Sequence, residues 1–235
     1  QRFPQNGFKG LISNILENDF HGLNGREVFA LVIRRLISTI DDGKYNPDEA
    51  SVVISIDPSV SRITRDAIAD ALKIANIHLI SIIDSSTSVA TLYAQEKKSF
   101  FYGTSKNVLF YDMGSNSSWA GVYKFSMPLN DQNQRVIPIV EELSVVSDEN
   151  LGGNRMDEIL ANHLMSQYFK KEKCPYSNKI RQIFINEAKR AKEILTTDKS
   201  TTVRIDDIPG YDHGMNYVLT RDEFEGLVLV ISEME

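Results

Sequence analysis

The sequence predicts an α/β fold, and three patterns support this prediction. Residues 51–94 alternate as strand, helix, strand and helix, which is the order of a parallel βαβ unit. Residues 107–146 hold successive β-rich segments separated by turn residues, which indicates a meander. Two long amphipathic helices and a further pair of strands follow in the second half of the chain.

The elements of the first half are defined by apolar periodicity and by turn residues. Two β-branched runs lack polar alternation, so we predict that they form strands buried on both faces. The helix between them has small residues on its packing side, which lets it lie close to the sheet. The predicted elements are helices at 8–16, 25–42, 61–76 and 84–94, the last capped by residues 84–87, and strands at 51–56 and 77–83.

The second half is predicted to be a meander followed by a mainly helical region. A polar segment at 96–106 is the predicted passage between two lobes. Thr220 and Glu223 have the spacing of a capping box at the start of the last helix. The predicted elements are strands at 107–112, 119–125, 136–146, 201–206 and 215–219, and helices at 154–171, 178–195 and from 221 onward.

Composition argues against several classes of protein. The 235 residues are 42% hydrophobic and 25% charged, which is the balance of a globular protein with a core. The net charge of −6, without a stripe of Lys and Arg, predicts no nucleic-acid partner. No apolar run is long enough to predict a membrane span. The His residues and the single Cys174 lack ligand spacing, so no metal site is predicted within the chain.

One hairpin has the pattern of a phosphate-binding turn. An apolar strand ends at Asp112, and Gly114 then allows the backbone to turn where a Cβ would block a phosphate. Ser115, Asn116 and Ser117 offer backbone N–H groups and hydroxyls in a turn, and such a nest binds anions without a basic side chain. The alternative is an ordinary hairpin whose turn is rich in Gly, Ser and Asn.

A second place for a phosphate is predicted before the helix at 154–171. Gly152 and Gly153 precede this helix, and a helix N-terminus attracts anions. On the following helix, the face opposite the apolar stripe carries Lys189, Arg190 and Lys192. Basic residues near a helix C-terminus are more often partners of the helix dipole than ligand contacts.

Five segments together resemble one family, the nucleotide-binding domain of the 70-kDa heat-shock chaperones. These segments are Ile82–Ala90, Asp112–Ser117, Leu151–Gly153, Ala188–Thr196 and Tyr217–Leu227. The resemblance implies the actin-like (ribonuclease H-like) two-lobed fold. Met113 followed by Gly114 and Ser115 is most similar to the large 170-kDa glucose-regulated relatives of the endoplasmic reticulum.

The resemblance also implies how the chain is divided. Residues 1–106 are expected to be part of lobe I and residues 107–235 part of lobe II, with a sheet subdomain at 107–150 and a helical outer subdomain at 151–235. The chain is expected to be an interior piece of the domain, with one phosphate loop before Gln1 and one adenosine-contacting loop after Glu235. ATP or ADP with Mg is the implied cofactor of the complete domain, and binding by this chain alone is expected to be weak or absent.

The departures from the family's pattern concern hydrolysis. Ser85 stands where hydrolysing members place a Glu beside the attacking water, and a hydroxyl has no useful basicity at neutral pH. Trp119 stands where a second acidic residue is usual. No catalytic group is therefore intact, and at most weak ATPase activity is expected.

The adenosine-facing helix matches the family only in part. Lys192 and Thr196 match the family's residues, whereas Lys189 and Glu193 stand where a Glu and an Arg are usual. The arginine that would stack on the base is therefore missing.

The resemblance implies a chaperone that is a nucleotide exchange factor and holdase for a 70-kDa chaperone and binds unfolded clients through regions outside this chain. The alternatives are an active ATPase chaperone of the same family or, less favoured, a sugar kinase or actin-like protein. The expected compartment is the lumen of the endoplasmic reticulum, with the cytoplasm as the alternative. Asn116-Ser-Ser118 has the pattern of a glycosylation acceptor, which we interpret as coincidence because it lies on the predicted phosphate turn.

Overall fold

The computed structural model describes residues 10–17, 22–40, 46–128, 137–169 and 177–232. The chain forms two compact units, unit 1 with residues 1–112 and 119–147, and unit 2 with residues 113–118 and 148–235. These units are defined by their internal contacts and do not test the division into lobes. The lobes at 1–106 and 107–235 therefore stay a prediction. Cys174, His21 and residues 129–136, which include the start of the strand predicted at 136–146, lie outside the described residues.

Unit 1 contains a βαβ segment and a three-stranded sheet. Strands β1 and β2 pair in parallel, from Ser51 opposite His78 to Ile56 opposite Asp84, as the alternating pattern predicts. The order of the second sheet is β3-β4-β5, which agrees with the predicted meander. The elements are α1 (Gly25–Ile37), β1 (Ser51–Ile56), α2 (Arg62–Ile74), β2 (His78–Asp84), α3 (Ser85–Glu96), α4 (Lys98–Phe101), β3 (Ser105–Met113), β4 (Ser118–Ser126) and β5 (Ile139–Asp148).

Helix α2 forms where its sequence pattern places it. Ser61 caps its N-terminus by accepting a hydrogen bond from the backbone N–H of Thr64. Its small and apolar side chains face the core and are buried, and they include Ala67, Ile68, Ala71 and Leu72. The spacing of these residues predicted this face, because positions three and four apart lie on one side of a helix.

The prediction that β1 and β2 are buried on both faces is wrong. Val53 is 52% exposed and Ile80 is 60% exposed. Within the described residues, the apolar side chains that pack beside these strands belong to one core cluster, which includes Ile56 and residues of α1 and α2. An apolar run in the sequence therefore marks a surface that can be covered, and the fold decides how much of it is covered.

The three-stranded sheet of unit 1, β3-β4-β5, packs one face against α3 and α4 through aromatic rings. Phe101 stacks on Phe125 with ring centroids 4.9 Å apart, and Tyr93 lies edge-on to Phe125 at 5.7 Å. Such pairs contribute about 0.5–1.5 kcal/mol beyond the burial of their area. This aromatic cluster attaches the predicted passage segment at 96–106 to the sheet.

Unit 2 contains helices and a strand pair around a separate core. Strands β6 and β7 are antiparallel, with Ser200 opposite Thr220 and Ile205 opposite Met215. The buried positions of α6 match its predicted apolar stripe and include Ile180, Phe184, Ala188 and Ala191. The elements are α5 (Gly153–Phe169), α6 (Asn178–Ile194), β6 (Ser200–Ile205), β7 (Met215–Thr220) and α7 (Arg221–Ser232).

Several predicted helix ends differ from the structure. Residues 11–16 form turns, so the first predicted helix is wrong in its described part. Helix α1 ends at Ile37, before the predicted Asp42. Asp84 is the N-cap of α3 but makes no side-chain capping bond, because its carboxylate pairs with another residue. None of the helices in the described ranges is long and apolar enough to cross a bilayer.

Candidate functional site

The predicted phosphate turn is a tight turn between β3 and β4. The backbone N–H of Gly114 donates to the carbonyl of Ser117 at 2.9 Å, which closes the turn. Residues 114–116 are exposed, whereas Ser118 is buried and donates its hydroxyl to the carbonyl of Leu151 at 2.6 Å. The turn is therefore attached to the segment that begins α5.

The start of α5 is hydrogen-bonded to this turn through its backbone. The N–H of Gly153 donates to the carbonyl of Gly114 at 3.0 Å, and the N–H of Asn154 donates to the carbonyl of Ser115 at 2.7 Å. The side-chain amide of Asn154 also donates to the amide oxygen of Asn116 at 2.6 Å. The sequence predicted two separate places for a phosphate, and the structure brings them together as one pair of joined turns.

Gly152 is where the two backbones come closest. A Cβ on Gly152 would lie 2.7 Å from the carbonyl carbon of Asn116 and 2.7 Å from the carbonyl oxygen of Ser115. No side chain fits at such a distance, so glycine is required for the packing of one turn on the other.

This geometry restricts how α5 could hold a phosphate. The N–H groups of Gly153 and Asn154 already donate to turn carbonyls, so they are not available to an anion in this arrangement. The role of Gly152 and Gly153 in phosphate binding stays a prediction, because their observed role is to join the two turns.

The turn itself keeps donors that fit an anion. Within the described parts of the chain, the backbone N–H groups of Ser115 and Asn116 have no acceptor. Asp112, near the end of β3, has an exposed side chain. Exposed N–H groups suit phosphate oxygens, and a single carboxylate suits Mg²⁺, which keeps several of its waters when it is bound with a nucleotide.

Lys192 does not lie on the exposed face where the sequence analysis placed it. Its Nζ lies 2.6 Å from Oδ1 of Asp157 and donates to the carbonyl of Gly153 at 2.8 Å. Lys189 and Arg190 are exposed, as predicted. The prediction that Lys192 lies on the same exposed face is wrong, because Lys192 is partly buried. The physical reason is that a buried carboxylate on α5 attracts the one lysine of this group that can reach it.

The other predicted adenosine-facing residues lie along the exposed side of α6 and just beyond it. Lys189, Glu193 and Thr196 are exposed, and the Thr196 hydroxyl donates to the carbonyl of Glu193 at 2.6 Å. Within the described residues, only Lys192 of this group contacts the start of α5. The nucleotide-binding role of the group stays a prediction.

Ser85 is the first residue of α3, directly after the carboxyl end of β2. The neighbouring carboxylate, Asp84, pairs with Arg65 through Nη2 at 2.6 Å. Arg65 is itself held by a bond from Nε to the carbonyl of Val60 at 3.0 Å. The acidic group beside Ser85 is therefore already engaged by a fixed guanidinium.

Trp119 is a core residue of unit 1. It is buried in β4, and the methyl group of Val145 and the rings of Trp119 and Tyr123 surround the position of Gly121. Its indole Nε1 is buried without an acceptor in the described part of the chain. Trp119 has no acidic group, and its correspondence to the family's second acidic position stays a prediction.

Sequence reasoning missed three residues: Arg65 in unit 1, and Asn154 and Asp157 in unit 2. A signal existed for Asp157, which shares a helix face with the buried Leu160, Ala161 and Leu164. A carboxylate on an apolar face predicts a buried partner of opposite charge. Neither Asn154 nor Arg65 has a comparable signal, because each contacts a residue far away in the sequence.

Comparison with known proteins gives one consistent result. A family model described as Hsp70 protein matches residues 9–233. Chaperone protein dnaK of Phaeodactylum tricornutum is 28% identical over 217 residues, which cover 90% of this chain and 32% of that protein. Hypoxia up-regulated protein 1 of Danio rerio is 28% identical over 179 residues, which cover 74% of this chain and 18% of that protein. The chain thus spans about a third or less of the length of these curated relatives.

Proposed function

Because this chain belongs to the Hsp70 family, we propose that it is part of an ATP-binding domain that binds Mg-ATP but hydrolyses it poorly or not at all. Family membership confirms the predicted family and the predicted actin-like fold class. The observation that supports poor hydrolysis is Ser85, which stands at the position of the family's catalytic Glu while the adjacent Asp84 is paired with Arg65.

The joined turns support the nucleotide-binding half of this proposal. The N–H groups of Ser115 and Asn116 bind phosphate oxygens, and Gly114 and Ser117 shape the turn that presents them. Asp112 takes part through the water shell of Mg²⁺, and the bound ion supplies positive charge against the phosphates. Lys189, Glu193 and Thr196 on α6 and just after it lie on the adenosine side.

The hydrolytic half is weak for a chemical reason. A hydroxyl with a pKa far above neutrality cannot orient and deprotonate an attacking water as a carboxylate does. Asp84 is a poor substitute, since its charge is already neutralised by Arg65 at 2.6 Å. Trp119 is buried and has no acidic group to contribute.

A domain that binds ATP without hydrolysing it can use the bound nucleotide to stabilise one conformation. We therefore assign the complete protein to the large heat-shock-type chaperones, as a nucleotide exchange factor and holdase for a 70-kDa chaperone, with unfolded clients bound by regions beyond this chain. The similarity to Hypoxia up-regulated protein 1 supports this assignment. The proposed compartment is the lumen of the endoplasmic reticulum, with the cytoplasm as the alternative.

The test of ATP binding is calorimetry on the full-length protein and its Asp112→Ala variant. We expect weaker Mg-ATP binding by the variant with an unchanged circular dichroism spectrum, because Asp112 is exposed and not part of the core. Unchanged affinity would remove Asp112 from the site.

The exchange-factor role is tested by release of a fluorescent ADP analogue from a 70-kDa chaperone. The full-length protein with ATP should accelerate release, and a non-hydrolysable ATP analogue should support the same rate. Asp112→Ala should abolish the acceleration while Ser85 is unchanged. A release rate equal to the spontaneous one, at saturating protein and ATP, contradicts the exchange-factor role.

A further inference from the structure

The buried Asp157 forms an ion pair between α5 and α6 with Lys192, whose side chain is 21% exposed. Asp157 is 4% exposed, and its Oδ1 lies 2.6 Å from Nζ of Lys192. Oδ1 has no hydrogen bond of good geometry in the described residues, so the lysine's charge is its compensation. A buried carboxylate without such a partner is strongly unfavourable, so the position of Lys192 is determined by Asp157.

The same ammonium group also holds the first turn of α5. Nζ of Lys192 donates to the carbonyl of Gly153 at 2.8 Å, and the N–H of Gly153 donates in turn to Gly114. Gly153 is thus bonded on one side to α6 and on the other side to the phosphate turn. A Cβ on Gly153 would lie 3.4 Å from Nζ, so the lysine occupies the space beside this residue.

These contacts separate two roles that a lysine at this position could have. A lysine that binds a ligand directly has its ammonium free to move to the ligand, whereas Nζ of Lys192 is already held by one ion pair and one hydrogen bond to a carbonyl. We infer that Asp157 and Lys192 are positioning residues, which hold the start of α5 against the turn at 114–115 and act on nucleotide binding only through that turn. The effect on binding rests on the proposed function, whereas the effect on the turn does not.

The effect on the turn is tested without any ligand. Amide hydrogen exchange in the full-length protein without nucleotide is measured at Gly153 and Asn154, whose N–H groups bond to the turn. Asp157→Asn and Lys192→Met should each reduce protection of these amides by at least about tenfold, since each leaves one partner of a buried pair without the other.

A matched control lies on the same helix. Glu158 forms exposed ion pairs with Arg155 and Arg181, so Glu158→Gln removes a charge from α5 without touching the buried pair. This control should leave the exchange of Gly153 and Asn154 unchanged. If a single variant does not fold, the double variant Asp157→Asn with Lys192→Met removes both charges and should fold better than either single variant. Unchanged protection in the variants that fold overturns the inference.

The effect on binding is tested on the full-length protein with two probes, Mg-ADP and Mg-pyrophosphate. Each single variant should lower the affinity for both probes by about tenfold or more. The double variant should bind each probe at least as tightly as the single variant that binds it less tightly. If Lys192 bound the nucleoside directly, Lys192→Met would weaken Mg-ADP alone and Asp157→Asn would leave Mg-pyrophosphate unaffected, which overturns the inference. Absence of binding by the unaltered protein contradicts the proposed function, and the exchange experiment still decides the role of the pair.

Discussion

Two loop regions that follow strands differ in how they are held. The corner between β2 and α3, in unit 1, is fixed by the ion pair of Arg65 with Asp84, whose side chains are 26% and 36% exposed. The turn at 113–118, in unit 2, is fixed by backbone hydrogen bonds to the start of α5 and by the close approach at Gly152. A partly exposed side-chain pair contributes little to stability, whereas joined backbones tolerate few substitutions.

The proposed function assigns phosphate binding and catalysis to these two different regions. The shape of the turn at 113–118 arises from backbone hydrogen bonds rather than from the side chains of Ser115 and Asn116. Under the proposed function, hydrolysis requires a carboxylate at the start of α3, where the chain has the partly buried Ser85. The proposed site therefore has a turn for phosphate and lacks the carboxylate for hydrolysis.

The largest expected effect concerns ATP turnover at the β2–α3 corner. The full-length protein should hydrolyse ATP about 10²–10⁴-fold more slowly than an ordinary 70-kDa chaperone, because a general base is missing. Ser85→Glu should raise the single-turnover rate, and Thr91→Glu, which adds the same charge to an exposed position of α3, should not. Comparable turnover by the unaltered protein would instead favour the alternative of an active ATPase with another base.

The second prediction concerns the joined turns and compares two glycines. Gly152→Ala places a Cβ 2.7 Å from backbone atoms of the facing turn, and it should lower the free energy of unfolding by about 1–3 kcal/mol. Gly226→Ala, in α7 with no atom within 4 Å of the added Cβ, should raise it by about 0.4–1 kcal/mol. Urea denaturation measures both, and equal effects at the two positions would show that the turns are not rigidly joined.

The third prediction tests a partly buried hydrogen bond in unit 2 through its pH dependence. The hydrogen bond from Tyr217 to Glu223, together with burial, raises the pKa of Tyr217 to about 12. The folded protein then keeps a proton that the unfolded chain loses near pH 10, so stability from this group is complete below about pH 10 and is lost as the pH rises toward 12.

The measurement for Tyr217 is absorbance of tyrosinate during a pH titration. Glu223→Gln should lower the pKa of Tyr217 toward the ordinary value of a tyrosine, about 10. Tyr217→Phe identifies the contribution of Tyr217 to the titration curve. Glu225→Gln, at an exposed position of the same helix, is the control and should leave the titration of Tyr217 unchanged. A pKa of Tyr217 that is the same in Glu223→Gln as in the unaltered protein contradicts the role of the hydrogen bond.

The smallest expected effect is that of the ion pair at the β2–α3 corner. Arg65→Met should change the free energy of unfolding by no more than about 1 kcal/mol, because the pair is partly exposed and screened by solvent. The matched comparison is Lys192→Met, which breaks a buried pair and should cost several times more. If Arg65→Met were as damaging as Lys192→Met, the contrast between the two regions would be wrong.

Much of the local structure was determined by the sequence itself. The parallel pairing of β1 with β2 and the meander were predicted from the order of β-rich runs, helices and turn residues. The buried faces of α2 and α6 follow from a period of about 3.6 residues, which is visible within a short window. The family resemblance likewise rested on five short segments, and the family is confirmed.

Only the tertiary structure decided which distant residues meet. Asp157 and Lys192 are on different helices, whereas Arg65 is on α2 and Asp84 ends β2, and no pattern in the sequence specifies either pairing. The exposure of Val53 and Ile80 was likewise decided by which elements cover the strands. Periodicity indicates which side of an element is apolar, whereas pairing depends on where two elements lie in space. The sequence pattern of α6 therefore does not predict that Lys192 turns toward Asp157 on α5.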